Sequence, residues 1–290
     1  MLTRIDHVMI CVPDLAMGVA AYTRLGFHVA PGGTHTGRAT HNAIAFHDED
    51  YLELLSLRPD RPDTLAPADS QIADYLARGS GFRFVVLQSD DLAADVAEMR
   101  GRGVDVSGPT EGSRLTPEGQ TLRWRAALPG PRNPLPLIFL QHLTPLEERK
   151  APAVRLGPHP NGVTRIERAY VAVRSVVAEA EAYARVLGMR VPKIKRGAVI
   201  KAEMAVFDVG PTGLTLAQPA GPGPAAEALG RRGPGPFQVL HRTRSLPAAA
   251  RWLADHGVPS ITGTRNTGEE AVLVGPEHAC GGYIGFVGSR

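Results

Sequence analysis

The chain has 290 residues, enough for about two domains, and its 43% apolar and 21% charged residues are the balance of an ordinary globular protein. Its 32 Lys and Arg nearly cancel 29 Asp and Glu, which argues against a nucleic-acid protein held by a basic stripe. Two cysteines exclude a disulfide framework and a Cys-rich zinc module, and no apolar run is long enough to span a membrane, so a protein of the reducing cytoplasm is expected.

Four segments repeat one plan: a β-rich run, a capped helix of about eleven residues, a glycine, then further β-rich runs. The first opens with Ile5 to Val12; Asp14 then stands as N-cap before Leu15, Val19 and Tyr22, which share one helix face, and Gly26 ends the helix. The second runs from Phe82 to Leu87, with Asp91 as cap, Leu92, Val96 and Met99 as apolar face, and Gly103 as stop. The third has its strand over Ile166 to Val173, then Ser175, Val176, Ala180, Tyr183 and Gly188. The fourth opens at Phe237, with Ser245 and Pro247 starting a helix that ends at Gly257. Units one and three align best, Arg4-Ile5 on Arg165-Ile166 and Ala21-Tyr22 on Ala182-Tyr183. The pattern predicts an α+β fold of four tandem βαβββ units in two domains, residues 1–146 and 163–290. Residues 147–162, with Pro152, Pro158 and Pro160, read as the linker.

This plan resembles the vicinal-oxygen-chelate superfamily, and within it the glyoxalase-like domain proteins. Ile5-Asp6-His7-Val8, Pro31-Gly32-Gly33-Thr34-His35, Thr40-His41-Asn42 and Tyr51-Leu52-Glu53-Leu54-Leu55 carry the resemblance in the first unit. Gly112-Ser113-Arg114 and Leu122-Arg123-Trp124-Arg125 extend it into the second, whereas residues 163–290 match only as a general βαβββ pair. The resemblance implies a curled, open eight-stranded sheet per domain around a cavity. It also implies a divalent metal there, bound from the first and last strands of each unit.

On that scheme His7 and Glu53 are the ligands of the first unit, and both suit zinc, iron, manganese or nickel. In the second unit Phe84 takes the first position and cannot ligate; Gln141 is expected at the last. Glu53 lies in an apolar run, so its buried carboxylate needs a metal or a histidine beside it. The second domain offers Arg168, Thr215, Gln238 and Gly285, which is no metal site. That departs from the two-domain extradiol dioxygenases, whose two His and one Glu lie in the second domain.

Arg123 and Arg125, two apart on a strand, share a face and would clamp an anionic substrate if that face lines the cavity. His41 and Asn42 are candidate polar lining, and His35 sits in a Gly-rich loop at the cavity mouth. The expected function is a metal-dependent enzyme of glyoxalase type, a lyase or isomerase, with the metal stabilising an enediolate and Glu53 alternating between ligand and general base. The alternative is a metal-free protein of the bleomycin-resistance type that only binds its small molecule. A small-molecule ligand is the expected partner; neither nucleic acid nor membrane is, and a homodimer stays open.

Overall fold

The computed structural model describes residues 1–289, except 62, 63, 133, 198 and 199. The first unit comprises β1 (Leu2–Cys11), α1 (Leu15–Arg24), β2 (Ala30–His35), β3 (Thr40–Phe46) and β4 (Tyr51–Leu57). After α2 (Pro67–Leu76), the second comprises β5 (Gly81–Ser89), α3 (Leu92–Gly101), β6 (Val106–Leu115), β7 (Thr121–Pro129) and β8 (Leu137–His142). The stretch read as a linker holds a helix, α4 (Leu146–Val154), with Pro152 inside its last turn. The third unit follows as β9 (Val163–Ala172), α5 (Val176–Leu187), β10 (Lys195–Gly197), β11 (Ala202–Val209) and β12 (Thr212–Pro219). After α6 (Pro224–Arg232), the fourth has β13 (Gly235–Thr243), α7 (Leu246–Asp255), β14 (Ser260–Thr264), β15 (Glu270–Val274) and β16 (Tyr283–Gly288). Each repeated helix starts at its expected cap: side chains of Asp14, Asp91, Ser175 and Ser245 accept from the N–H three residues on, satisfying a donor that the first turn leaves free.

The first eight strands close into a barrel in the order β1-β4-β3-β2-β6-β7-β8-β5, and the second eight form a curled sheet in the order β10-β11-β12-β9-β13-β16-β15-β14. The first sheet is thus not open as the resemblance implied. A short β2–β6 ladder, Thr34 with Leu115 and His35 with Arg114, shuts it. Within the barrel β1 and β5 lie antiparallel, Val8 opposite Val85, and each has the last strand of its own unit parallel on its other side. The two units are therefore related about the Val8–Val85 pair.

Tyr22 and Tyr183, equivalent in units one and three, are both fully buried in an apolar core that runs across both sheets. The sheets are also pinned by polar contacts: Ile5 N–H donates to Thr212 Oγ1 at 2.7 Å, and Ile166 N–H to Asp50 Oδ1 at 2.9 Å. Among the described residues no helix is long and apolar enough to cross a membrane.

Candidate functional site

The barrel encloses a cavity of about 380 Å³. Strand alternation decides what lines it. On β3 Thr40, Asn42, Ile44 and Phe46 face in; on β4 Tyr51, Glu53 and Leu55; on β7 Leu122, Trp124 and Ala126; on β8 Ile138, Leu140 and His142. The wall is mostly apolar, with one polar chain across it. His7 Nδ1 lies 2.6 Å from Asp6 Oδ1, and His7 Nε2 lies 3.4 Å from Glu53 Oε2. Asn42 Nδ2 donates to Glu53 Oε1 at 2.6 Å, and His35 Nε2 is 3.7 Å from the same oxygen. Tyr51 stacks on the His7 ring at 4.3 Å. His142 Nε2 approaches the other oxygen of Asp6 at 2.7 Å.

Burial alone would strip the proton from His7, but the hydrogen bond to Asp6 and the neighbouring Glu53 outweigh it and hold its pKa up at about 9. Burial would likewise push Glu53 up, yet the charge and proximity of His7, with His35 and Asn42 adding, bring it to about 2. Asp6 is also held well below the ordinary carboxylate value: burial opposes this, and His142 and His7 overcome it. At neutral pH the chain is carboxylate, imidazolium, carboxylate. The 3.4 Å His7–Glu53 separation is long for a hydrogen bond, so charge rather than a short bond holds that pair. Burial lowers His142, which stays neutral and donates through Nε2 to the ionised Asp6. Its Nδ1, and the Oδ1 of Asn42, are buried without a hydrogen-bond partner among the described residues.

Several expected site residues stand elsewhere. Gln141 turns away from the cavity: its Nε2 donates to Asp90 O at 2.9 Å and its Oε1 accepts from Leu92 N–H at 3.3 Å, at the start of α3. The expected position was also out of register. Glu53 lies beside Met9, and the equivalent of Met9 across the β1–β5 pair is Val86, whose neighbour on β8 is Ile138. His41 points off the cavity wall between the lining residues Thr40 and Asn42. Arg123 and Arg125 do share a face, but it is the exposed one: they bracket Glu111 at 2.8 and 3.6 Å, 58% and 45% exposed, with Arg123 only at the cavity rim. Trp124 between them faces in, its ring edge-on to His35. The buried arginines of the wall are instead Arg114 on β6 and Arg149 on α4.

These residues do not fit a metal centre held by the protein. Of the four ligand positions two are Phe84 and Ile138, which cannot ligate, leaving His7 and Glu53, fewer than the three protein ligands that a catalytic zinc ion takes. Among the described residues no group of three or more His, Cys, Asp or Glu is arranged to hold a metal ion. In the second sheet Arg168 donates to Thr215 Oγ1 at 3.2 Å. Tyr170, at the register of Met9, packs with Phe237 and Tyr283 in an apolar cluster.

Paired βαβββ units in two curled sheets, one closed around a cavity, define a protein of the vicinal-oxygen-chelate superfamily. The sequence model of the glyoxalase-like domain family matches residues 5–187, and the chain belongs to that family. The model of the glyoxalase/bleomycin resistance protein/dioxygenase superfamily matches residues 165–273. Two solved structures share the fold along the whole chain. One is a hypothetical protein from Staphylococcus aureus, 14% identical with a TM-score of 0.68, covering 99% of each chain. The other is a mutant of 4-hydroxymandelate synthase from Streptomyces coelicolor, 15% identical with a TM-score of 0.66, covering 99% of this chain and 92% of that one. At such identities the likeness is one of fold. No curated protein matches the chain.

Proposed function

We propose that the barrel is a metal-free binding cavity for a small molecule, the reading of the bleomycin-resistance type. The closed Asp6–His7–Glu53–Asn42 chain carries it. With Phe84 and Ile138 at the other two ligand positions it offers an ion only His7 and Glu53, and no group of it titrates near neutrality. A general base works best with a pKa near the working pH. Glu53 at about 2 lies far below that, and each unit of mismatch costs about 1.4 kcal/mol of driving force. Two buried acceptors, Asn42 Oδ1 and His142 Nδ1, remain for a ligand's donors to fill. Left unmet, such a group costs about 1–3 kcal/mol.

The enzymatic reading keeps one observation in its favour: a buried carboxylate and imidazolium open onto the cavity together. It requires a ligand that separates Glu53 from His7 and so raises its basicity. Metal analysis of the purified protein tests the proposal. No stoichiometric transition metal, and an unfolding midpoint unmoved by a chelator, is the expected result. Stoichiometric metal that is lost on His7→Ala would overturn it.

A further inference from the structure

Resting on the binding reading, we infer that the ligand is an organic acid: one oxyanion head, carboxylate or phosphate, on an apolar body, with the head held by Arg114, Arg149 and Tyr51. Arg114 is 8% exposed and Arg149 9%, and both line the cavity. Guanidinium keeps its charge when buried and is rarely found there unpaired. The next most enclosed arginines are paired: Arg4 has Glu49 and Asp50 beside it, and Arg265 has Glu269 at 2.7 Å. Neither Arg114 nor Arg149 has a carboxylate within 4 Å among the described residues. Each spends one donor on a backbone oxygen, Arg114 on Gly32 O and Arg149 Nε on Thr144 O at 3.2 Å. A guanidinium carries five N–H donors, so most of each fork is unspent.

The two arginines also feel each other. Burial is the main cause that lowers the pKa of Arg114; the charge of Glu53 opposes it, and the charge of Arg149 adds to the lowering. Like charges gathered in a low-dielectric wall repel, Glu53 and Glu118 offset this only from beyond 4 Å, and an arriving anion relieves it. Tyr51 lies within the field of both. An ordinary phenol is a donor at neutral pH, and the Tyr51 hydroxyl makes no hydrogen bond among the described residues. Arg83, at the same cavity, also has no ion pair and a buried Nε without a partner among the described residues, but its guanidinium stacks 4.2 Å over Phe84 and is less buried. The body of the ligand meets Ile44, Phe46, Leu122, Trp124, Ile138 and Leu140, none of which can serve a second charge.

Calorimetric titration of the full chain with four probes tests this: octanoate, octyl phosphate, 1-octanol and inorganic phosphate. An eight-carbon acid, in carboxylate or phosphate form, should bind, and the better of the two identifies the head. The alcohol should bind at least about tenfold more weakly, and inorganic phosphate, lacking a body, should not bind measurably. Arg114→Gln and Arg149→Gln should each weaken the acid by about ten- to a hundredfold, the loss of one charge-assisted bond. Arg125→Gln, on the exposed face, should leave it unchanged. Arg149 sits on α4 outside the barrel ladder, so its variant decides the question even if Arg114→Gln fails to fold. Octanol binding as tightly as octanoate, no binding of either acid, or an unchanged affinity in a folded Arg149→Gln would overturn the assignment. Metal content is measured separately, so a metal-loaded protein that still prefers the acid would sink the binding reading and leave the clamp standing.

Discussion

His7 and Glu53 stand one strand apart on the cavity wall with Nε2 and Oε2 3.4 Å from each other; His7 is the main reason Glu53 is charged, and Glu53 is second only to Asp6 in keeping His7 charged. Neither could be ionised alone in so dry a place, because an isolated buried charge costs far more than any fold can absorb. Asp6 behind His7 and Asn42 beside Glu53 extend the pair into a chain of four polar groups on one side of the cavity. A network of this kind is worth having only when it is complete, since a half-satisfied one is worse than an apolar wall.

Glu53→Gln should therefore destabilise the fold by about 1.5–3 kcal/mol near neutral pH, measured by urea unfolding. Glu53 is depressed in the folded state, so its contribution is present above its ordinary value of 4.5 and lost as pH falls towards about 2. The His7 contribution has the opposite sign: it is complete below 6.5 and lost as pH rises through about 9. The deficit of the variant should thus shrink both in strong acid and in alkali. A deficit that stays constant from pH 3 to pH 10 would mean that the pair is not ionic.

Between the two sheets a second group of histidines sets a limit on the acid side. His47 and His241 have ring centroids 5.3 Å apart, His47 and His159 likewise, around Phe27. Burial holds His47 and His159 at about 3 and His241 well below its ordinary value, so all three are neutral. His47 Nδ1 meets Asp50 Oδ1 at 2.6 Å, and burial raises that carboxyl to about 8. Between the two ordinary values, 6.5 and 3.8, the folded pair keeps one proton on Asp50 and the unfolded pair keeps one on His47, so this pair adds little slope. His159 and His241 do add one: below pH 6.5 the unfolded chain takes protons that the folded one refuses, about 1.4 kcal/mol per pH unit for each histidine. His241→Phe should move the acid unfolding midpoint to lower pH in circular dichroism. A midpoint that does not move, or moves up, would contradict this.

How far the sequence speaks depends on which strand is asked. The four-fold repeat was legible because caps and glycines recur at fixed offsets, and Asp14, Asp91, Ser175 and Ser245 all cap as the offsets require. His7 and Glu53 were found through the family resemblance, which assigns ligands to the first and last strands of a unit. Asp6 and His142, which hold His7 and its neighbour, were overlooked though each adjoins a residue singled out. The last strand of unit two explains why: Leu137 to Leu140 is apolar on both faces, so alternation gives no phase, and only the ladder shows that His142, not Gln141, turns inward. The arginines failed for a related reason. Arg123 and Arg125 show a clean period of two, but so does an exposed face, and which side of the barrel it occupies depends on closure. Arg149 could not be placed at all, because a segment with three prolines gave no hint of α4 crossing to the cavity.

Nitrogen NMR of the His7 ring in the metal-free protein tests the account most directly. Both ring nitrogens should resonate as protonated imidazolium at pH 7 and lose that state only as pH rises through about 9, with one equivalent of zinc leaving the Nε2 signal in place. A neutral ring at pH 7 whose Nε2 shifts on adding the zinc would contradict it, and would make His7 a metal ligand instead of the charged partner of Glu53.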